Sequence, residues 1–448
     1  MAGNIFPPTF FGMRGTGDWV DNQMPEDWNE TILYLFPNGD SPLTAMMSKM
    51  STDPSDSVKI HWWTQGLPIQ AATLTNIYTN SALSTAYVSG GASGDNVYVK
   101  LPTETDVDHF RVGHQVTVRV LADIAGDVVT KCVARVKNGA SSYLKLTLLE
   151  DDDNGSSTTM ADAGRVLVSG NMNAEGAAMP DAIAYDPTEW YNNMQIFRTP
   201  LEITGTAMAT ELRTNPQAYP KKQKECLKSH SMEREKAYWF GVPTSSISTD
   251  NGKPERSMMG IIPAIRGSYD GHGGPAGTTA NYVTDTDYAG KSWLSGGEDW
   301  LNTQLETIFL YGNINKMAWV GNGALMAIQK LVQNNGDFMW GPDTTIYGIK
   351  VREWITPLGS IALMTHPLFN YETTMRKVMV IVEPENIKRR PLRTRDTMFI
   401  SEQIGKTNSG YTRRDGIKEE YLTEETLELH HPIGWAFLEG FGEDNTAS

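Results

Sequence analysis

The sequence predicts a mixed α+β protein on three observations. Short apolar–polar alternations separated by Gly, Asp and Asn turns recur between Asn96 and Ser169, the period of half-buried strands. Lys221 to Phe240 is the longest helix-compatible run in the chain, introduced by Pro220 and ended by Gly241. Beyond Glu298, helical spacing alternates with apolar strands, as in a mixed domain.

Taken from the N-terminus, the first thirty residues carry Ile5, Phe6, Phe10, Phe11, Met13, Trp19, Val20, Met24 and Trp28. Pro7, Pro8, Gly12, Gly15, Gly17 and Pro25 interrupt any helix or strand there. Apolar side chains without a period cannot close a core of their own, and ordering the backbone costs more than their burial returns. This segment is therefore expected to form an arm, either across another chain or as a strap over its own domain. After it, Glu26 to Met50 reads as a short helix, a turn at Pro37-Asn38-Gly39 and a second helix. Ser41 is the expected N-cap, Pro42 takes the first helical position, and Leu43, Met46 and Met47 share a face. Val58 to Trp63 reads as a strand.

In the block that follows, Val97–Leu101, Val116–Val120, Val128–Val136, Leu144–Leu148 and Val166–Val168 are the strand candidates. Five or six such strands predict a small antiparallel barrel or sandwich, inserted as a compact block over 96–170. Phe110-Arg111-Val112-Gly113 fits a tight turn before the second strand. Tyr191 to Ala209 is expected to be extended again. The run after Pro220 holds Lys221, Lys222, Lys224, Glu225, Lys228, Glu233, Arg234, Glu235 and Lys236, polar nearly all round. Such a helix is expected to be partly solvated or bridging between units, not a core helix. Ser268 to Asp287, with four glycines, reads as a loop. Glu298 to Tyr311 places Leu301, Leu305, Ile308 and Phe309 on one helical face, and Asn322 caps a helix bearing Leu325, Ile328 and Leu331. Strands are expected at Ile346–Trp354, Ser360–Met364, Val378–Val382 and Thr426–Leu429.

At 448 residues the chain has room for two or three domains. A net charge of −15 argues against wrapping nucleic acid over most of the surface, but leaves room for small basic patches. Cys132 and Cys226 alone make no disulfide framework, so a reducing, cytosol-like compartment is expected. No run of eighteen apolar residues occurs, so no membrane span is expected, and the first residues show neither a basic region nor an apolar signal core, so no secretion is expected.

Nothing in the chain spells out catalysis. Glu150-Asp151-Asp152-Asp153-Asn154-Gly155 starts like a calcium loop, but Ala161 stands where the closing glutamate belongs, so a solvated acidic turn is expected. Gly271-His272-Gly273-Gly274 lacks the Lys-Ser/Thr of a phosphate cradle. His430-His431 would point to opposite faces of a strand, which suits structural histidines. No cofactor or metal is expected. The basic cluster Lys388, Arg389, Arg390, Arg393 and Arg395 reads first as a solvated face and second as a salt-sensitive contact for a neighbouring chain or DNA phosphate. Glu419, Glu420, Glu424, Glu425 and Glu428 are its complement, within or between chains. With Phe6, Phe10, Phe11, Trp19 and Trp28, the basic cluster makes up the subunit-contact candidates.

The order of parts resembles the tailed-bacteriophage major capsid proteins of the Hong Kong 97-type fold, in the branch whose extended loop carries an added β-domain. The resemblance rests on Leu35-Phe36-Pro37-Asn38-Gly39-Asp40-Ser41-Pro42-Leu43, on Phe110 to Val116, on Asn173-Ala174-Glu175-Gly176 and on Tyr191 to Phe197 leading into Thr204-Gly205-Thr206. It continues through Met232 to Gly241, Met258-Met259-Gly260-Ile261, Lys406-Thr407 and Tyr421 to Leu429. It implies an N-terminal arm over 1–56, an extended loop over 57–200 with the β-domain inside it, and a peripheral domain over 201–285 with a spine helix at 220–240. An axial domain would cover 286–380, and 381–448 would return to both. The resemblance further implies a shell of hexamers and pentamers, assembled in the bacterial cytoplasm, that holds double-stranded DNA without reading its sequence. A separate scaffold protein, a portal and decoration proteins are the partners it implies, with no membrane. Two other readings stay open at this point: an encapsulin-like nanocompartment shell, which the large β-insertion disfavours, and a β-rich tail-associated sugar-binding protein, which the long charged helix disfavours.

Overall fold

The structure is a computed structural model, and it describes residues 42–49, 52–66, 70–152, 159–176, 178–210, 218–267, 281–284, 291–335, 339–346, 349–371, 373–403 and 416–442. The arm aromatics, Ser41 and the Gly271–Gly274 run lie outside the described residues. The chain divides into two compact units, one of Met1–Thr64 with Thr188–Ser448 and one of Gln65–Pro187.

Helix α1 (Pro42–Lys49) and strand β1 (Lys59–Thr64) open the first unit. The second unit then holds β2 (Ala71–Thr73), β3 (Asn76–Tyr78), β4 (Asn96–Lys100), α2 (Glu104–Val107), β5 (His114–Val120), β6 (Val128–Val136), β7 (Tyr143–Leu148) and β8 (Ala163–Asn171). These strands form one seven-stranded antiparallel sheet in the order β2-β8-β5-β6-β7-β4-β3. Its inward residues, among them Val97, Val99, Val116, Val118, Leu144, Leu146 and Val166, are all buried in one cluster with Phe110 and Met160. The period-2 strands lie where alternation places them. β2 and β3, three residues each, extend the sheet beyond the expected block because Ala-Ala-Thr and Asn-Ile-Tyr are too short to show a period. Gly113 has φ 93°, which only glycine takes without strain, and its turn closes with His114 N–H donating to Arg111 O at 3.2 Å.

The acidic turn differs from expectation. Asp152 is buried: Tyr87 Oη donates to it at 2.5 Å and Met160 N at 2.7 Å, so it is a structural acceptor and not a solvated carboxylate. Burial, reinforced by this bond, pushes the Tyr87 hydroxyl well above its ordinary value.

The first unit resumes with β9 (Thr188–Asn193), β10 (Gln195–Thr204), α3 (Gly205–Ala209), α4 (Ala218–Phe240), β11 (Thr244–Ile247), β12 (Pro254–Ser257), α5 (Ile261–Arg266) and β13 (Tyr282–Val283). There follow α6 (Trp293–Ile308), β14 (Asn315–Val320), α7 (Asn322–Asn335), β15 (Met339–Ile346), β16 (Ile349–Thr356), β17 (Gly359–Thr365) and α8 (Pro367–Tyr371). The chain ends with β18 (Val378–Val382), β19 (Ile387–Pro391), β20 (Met398–Gln403), β21 (Gly416–Leu429) and β22 (Ala436–Glu439). Extended structure stops at Thr204 rather than Ala209, because the Thr204 hydroxyl accepts from Ala207 N and starts α3.

Seven strands run β13-β22-β18-β14-β17-β16-β15. The inner strands are buried on both faces: Met317, Trp319, Val378, Val380 and Val382 enter one cluster with Trp239 and α5, while Ala318, Val320, Met379 and Ile381 enter another with α6 and α7. That is why β18 reads Val-Met-Val-Ile-Val with no polar alternation. A smaller sheet has the 14-residue β21 at its centre, paired with β10 on one side and with β19 and β20 on the other. β1 and β9 pair as a two-stranded ribbon from Lys59↔Asn193 to Thr64↔Thr188, so the second unit is an insertion between its ends.

Helix α4 corrects the expectation of a helix outside the core. Cys226, His230, Arg234 and Tyr238 recur every fourth residue and are all buried, with Glu235 and Trp239 beside them. The helix has a core face, and that face is polar. At its end Gly241 and Gly260 lie against each other, and a Cβ on either would fall within 3 Å of backbone atoms. This close approach explains the two glycines in the Met232–Gly241 and Met258–Ile261 segments. Among the described residues, no helix is long and apolar enough to cross a membrane.

Candidate assembly site

Helix α4 is the hub of the first unit, and three polar clusters fix its neighbours to it. Glu235 takes the start of α1: Leu43 N donates to Oε1 at 2.9 Å, and Thr44 N and Oγ1 donate to Oε2 at 2.6 and 2.5 Å. A carboxylate from another helix thereby satisfies N–H groups that an α-helix start leaves open. His366 Nε2 lies 2.8 Å from the same carboxylate, Trp239 and Trp319 pack edge-on against its ring, and Phe369 lies tilted against it. Leu43, Met46 and Met47 seat α1 in the core, as their spacing implies. The element that follows the aromatic-rich N-terminal segment is thus latched to α4.

The second cluster joins α4 to the small sheet. Thr199 Oγ1 lies 2.9 Å from His230 Nδ1, and His230 Nε2 lies 2.8 Å from Thr423 Oγ1. Burial lowers the His230 pKa below its ordinary 6.5. Nearby, Tyr219 Oη donates to Glu419 at 2.6 Å, and burial together with this carboxylate pushes the phenol up to about 12.

The third cluster contains part of the basic run. Arg389 is buried, and its Nε donates to Glu425 Oε2 at 2.5 Å while its other nitrogens hold Asp396. Arg234 donates to Glu425 through Nε at 2.5 Å and Nη2 at 2.9 Å, and Tyr238 Oη donates to the same carboxylate at 2.5 Å. Burial opposes the Arg389 charge, but Glu425 outweighs it and the guanidinium is held above its usual range. Burial likewise raises the Asp396 carboxyl, and the Arg389 hydrogen bond overrides it, leaving Asp396 low. Burial first, then the Glu425 charge, raises Tyr238.

Around this centre, Arg390 pairs with Asp53 and Glu428, Arg393 with Asp56 at 2.9 Å and Arg395 with Glu424 at 2.5 Å. Arg198 grips Glu420 through two bonds of 2.9 and 2.6 Å. Of the arrangements left open by the sequence, the recorded ion pairs of Arg389, Arg390, Arg393 and Arg395 are the within-chain one. Lys388, Arg393 and Arg395 are the exposed members of the run, and Lys388 lies opposite Glu428 in register. The histidine pair also differs from expectation, because β21 ends at Leu429. His430 bonds Glu428 at 2.6 Å and packs on Trp62, while His431 takes a left-handed φ of 49°.

Two surfaces of the first unit present apolar groups outward. On the β1–β9 ribbon, Ile60, Trp62 and Trp190 face the core. Lys59, His61 and Trp63 alternate with them; Lys59 sits over the Tyr191 ring, His61 bonds Glu189 and Trp63 is 62% exposed. On β20, Met398, Phe399 and Ile400 are all exposed. Among the described residues, no group of three or more His, Cys, Asp or Glu could hold a metal ion.

Exposed apolar side chains on β1 and β20, on a body whose Arg234, Arg389, Arg390 and Arg395 are paired within the chain, are what a subunit covered by other chains presents. The SU10 major capsid protein family model matches residues 11–442, and the chain belongs to that family. A major capsid protein of Pseudomonas phage PaMx41 is 23% identical over 423 residues, covering 92% of this chain and 91% of the phage protein. Among solved structures, that of Mycobacterium phage Adephagia (8% identity, 93% and 92% of the two chains, TM-score 0.40) and that of Mycobacterium phage Cain (10% identity, 93% and 92%, TM-score 0.40) are similar. The chain is a structural subunit of a phage capsid shell and a component of the virion, and its organisation is mixed α+β, as its sequence predicts.

Proposed function

We propose that copies of this chain interlock as hexamers and pentamers of an icosahedral shell that encloses double-stranded DNA, a structural role with no catalysis. The observation that carries the reading is the insertion of a whole β unit between the paired ends of β1 and β9 in a chain of the capsid family. In this reading residues 1–56 are an arm whose Phe6, Phe10, Phe11, Trp19 and Trp28 are covered by a neighbouring copy. Residues 57–200 form the extended loop, 201–285 the peripheral domain with α4 as spine, 286–380 the axial domain, and 381–448 return to both. Trp63 and Lys388 add contacts between copies. A separate scaffold protein, a portal and decoration proteins take part, and assembly occurs in the bacterial cytoplasm.

The test is electron microscopy of the purified full chain and of a chain lacking Met1 to Met24. Closed shells from the full chain, and a folded but shell-less truncated subunit, are expected. A truncated chain that assembles as well as the full one would refute the role given to the arm.

A further inference from the structure

In the inserted β unit, the turn that carries Arg111 and His114 borders an open cleft of about 350 Å³. His114 lines the cleft although it is only 4% exposed. Its Nδ1 accepts from Arg111 N–H at 3.4 Å, so the neutral ring carries its proton on Nε2, which has no partner among the described residues. Burial, and then the Arg111 charge, lowers the His114 pKa and keeps the ring neutral. The Arg111 side chain donates from Nη1 to Asp181 O at 3.3 Å, and among the described residues no carboxylate pairs with it. Asn171 Oδ1 accepts from Asn173 at 3.3 Å, which leaves the Asn171 amide hydrogens for the cleft. Gln70, also in the lining, holds a left-handed φ of 26°, a strain of the kind that gathers at ligand sites.

We propose that this cleft is a carboxylate-binding site, filled in the shell by an Asp or Glu side chain of a sister copy. The site follows from the cleft itself, whereas the source rests on the proposed shell of interlocked copies. A guanidinium, a ring N–H and two side-chain amides supply donors, and no Asp or Glu side chain lines the cleft. A donor-rich cleft without an acid selects an anion. One guanidinium beside a neutral ring supplies a single positive charge, and its planar fork suits a carboxylate better than a phosphate dianion. Val168 and Ile183 give the stem of an acidic side chain an apolar wall. The chain carries 53 acidic against 38 basic residues, so its copies meet one another with carboxylates in excess.

The test titrates the unassembled full-length protein with glutarate, which ends as a Glu side chain does, and with glutaramide, its uncharged counterpart. Glutarate is expected to bind about tenfold more tightly than glutaramide, and Arg111→Gln to weaken it by about tenfold. Arg111→Lys keeps the charge without the fork and is expected to lose about threefold. Circular dichroism checks that both variants fold, as the loss of one bond to a backbone carbonyl allows. Equal binding of glutarate and glutaramide, or a folded Arg111→Gln protein that binds glutarate within about twofold of the unaltered one, would overturn the site. A side-chain-resolved map of the assembled particle tests the source. An acidic side chain of a sister copy against Arg111 and His114 is expected; an empty cleft, or a free small acid in it, would overturn that part. Failure of the shell reading is seen separately, as unaltered protein that forms no closed shells.

Discussion

Glu425 is the residue whose loss the first unit should tolerate least. Its carboxylate is fully buried and accepts four hydrogen bonds, two from Arg234, one from Arg389 and one from Tyr238. Glu425→Gln keeps the shape but removes the charge, and turns one acceptor into a donor that faces donors. Arg389 keeps Asp396, whose side chain is half exposed, whereas Arg234 is left without a carboxylate among its recorded bonds. Breaking one partner out of a buried pair costs about 3–5 kcal/mol. Two buried guanidiniums depend on this one, so the cost should reach that range despite the amide's residual hydrogen bonding. Arg393→Ala is the internal contrast, since its pair with Asp56 is largely exposed on both sides and such pairs contribute about 0–1 kcal/mol. Denaturant unfolding of the unassembled full-length subunit, followed by tryptophan fluorescence, measures both. A loss below about 1 kcal/mol for Glu425→Gln, or one no larger than for Arg393→Ala, would refute the reasoning.

Other perturbations separate the latch, the surface and the buried titrating groups. Glu235→Ala removes the acceptor of three α1 donors and should cost about 1.5–3 kcal/mol, with hydrogen exchange at the Leu43 and Thr44 amides accelerating more than exchange in α7. Trp63→Ala should leave subunit stability within about 0.5 kcal/mol, because its ring is mostly in solvent, while slowing shell formation in light-scattering assays. Acidification should destabilise the first unit. His230 is held neutral by burial, so the unfolded chain binds its proton first and stability falls as pH drops below the ordinary 6.5. Glu428, lowered first by its His430 hydrogen bond, and Asp396 extend the loss as pH passes below their ordinary 4.5 and 3.8. His230→Gln should flatten the upper part of a plot of melting temperature against pH; a melting temperature that rises on acidification would contradict the assignment.

Where burial follows a period, the fold was legible from residues alone. Val97, Val99, Leu144 and Leu146 alternate because one face of their sheet is covered, and Leu301, Leu305 and Ile308 repeat because α6 covers one face of another. β14 escaped notice because Lys316 interrupts it; that lysine is buried, bonding Glu383 at 2.5 Å and Gly434 O at 2.8 Å. The polar core face of α4 escaped for a related reason. Hydropathy treats His230, Arg234 and Glu235 as surface, whereas partners far along the chain make burial affordable. Their spacing of four, from Cys226 to Tyr238, was the available signal. Which acids of β21 Arg389 and Arg390 would find depended on the register of β19 and β21, which composition does not encode.

The central claim is that the aromatic N-terminal segment is covered by sister copies of the chain. Electron cryomicroscopy of the assembled particle, resolved to side chains, measures it directly. The account predicts that Phe6, Phe10, Phe11, Trp19 and Trp28 lose most of their accessible area to a neighbouring subunit. Burial of those rings wholly within their own chain would contradict it.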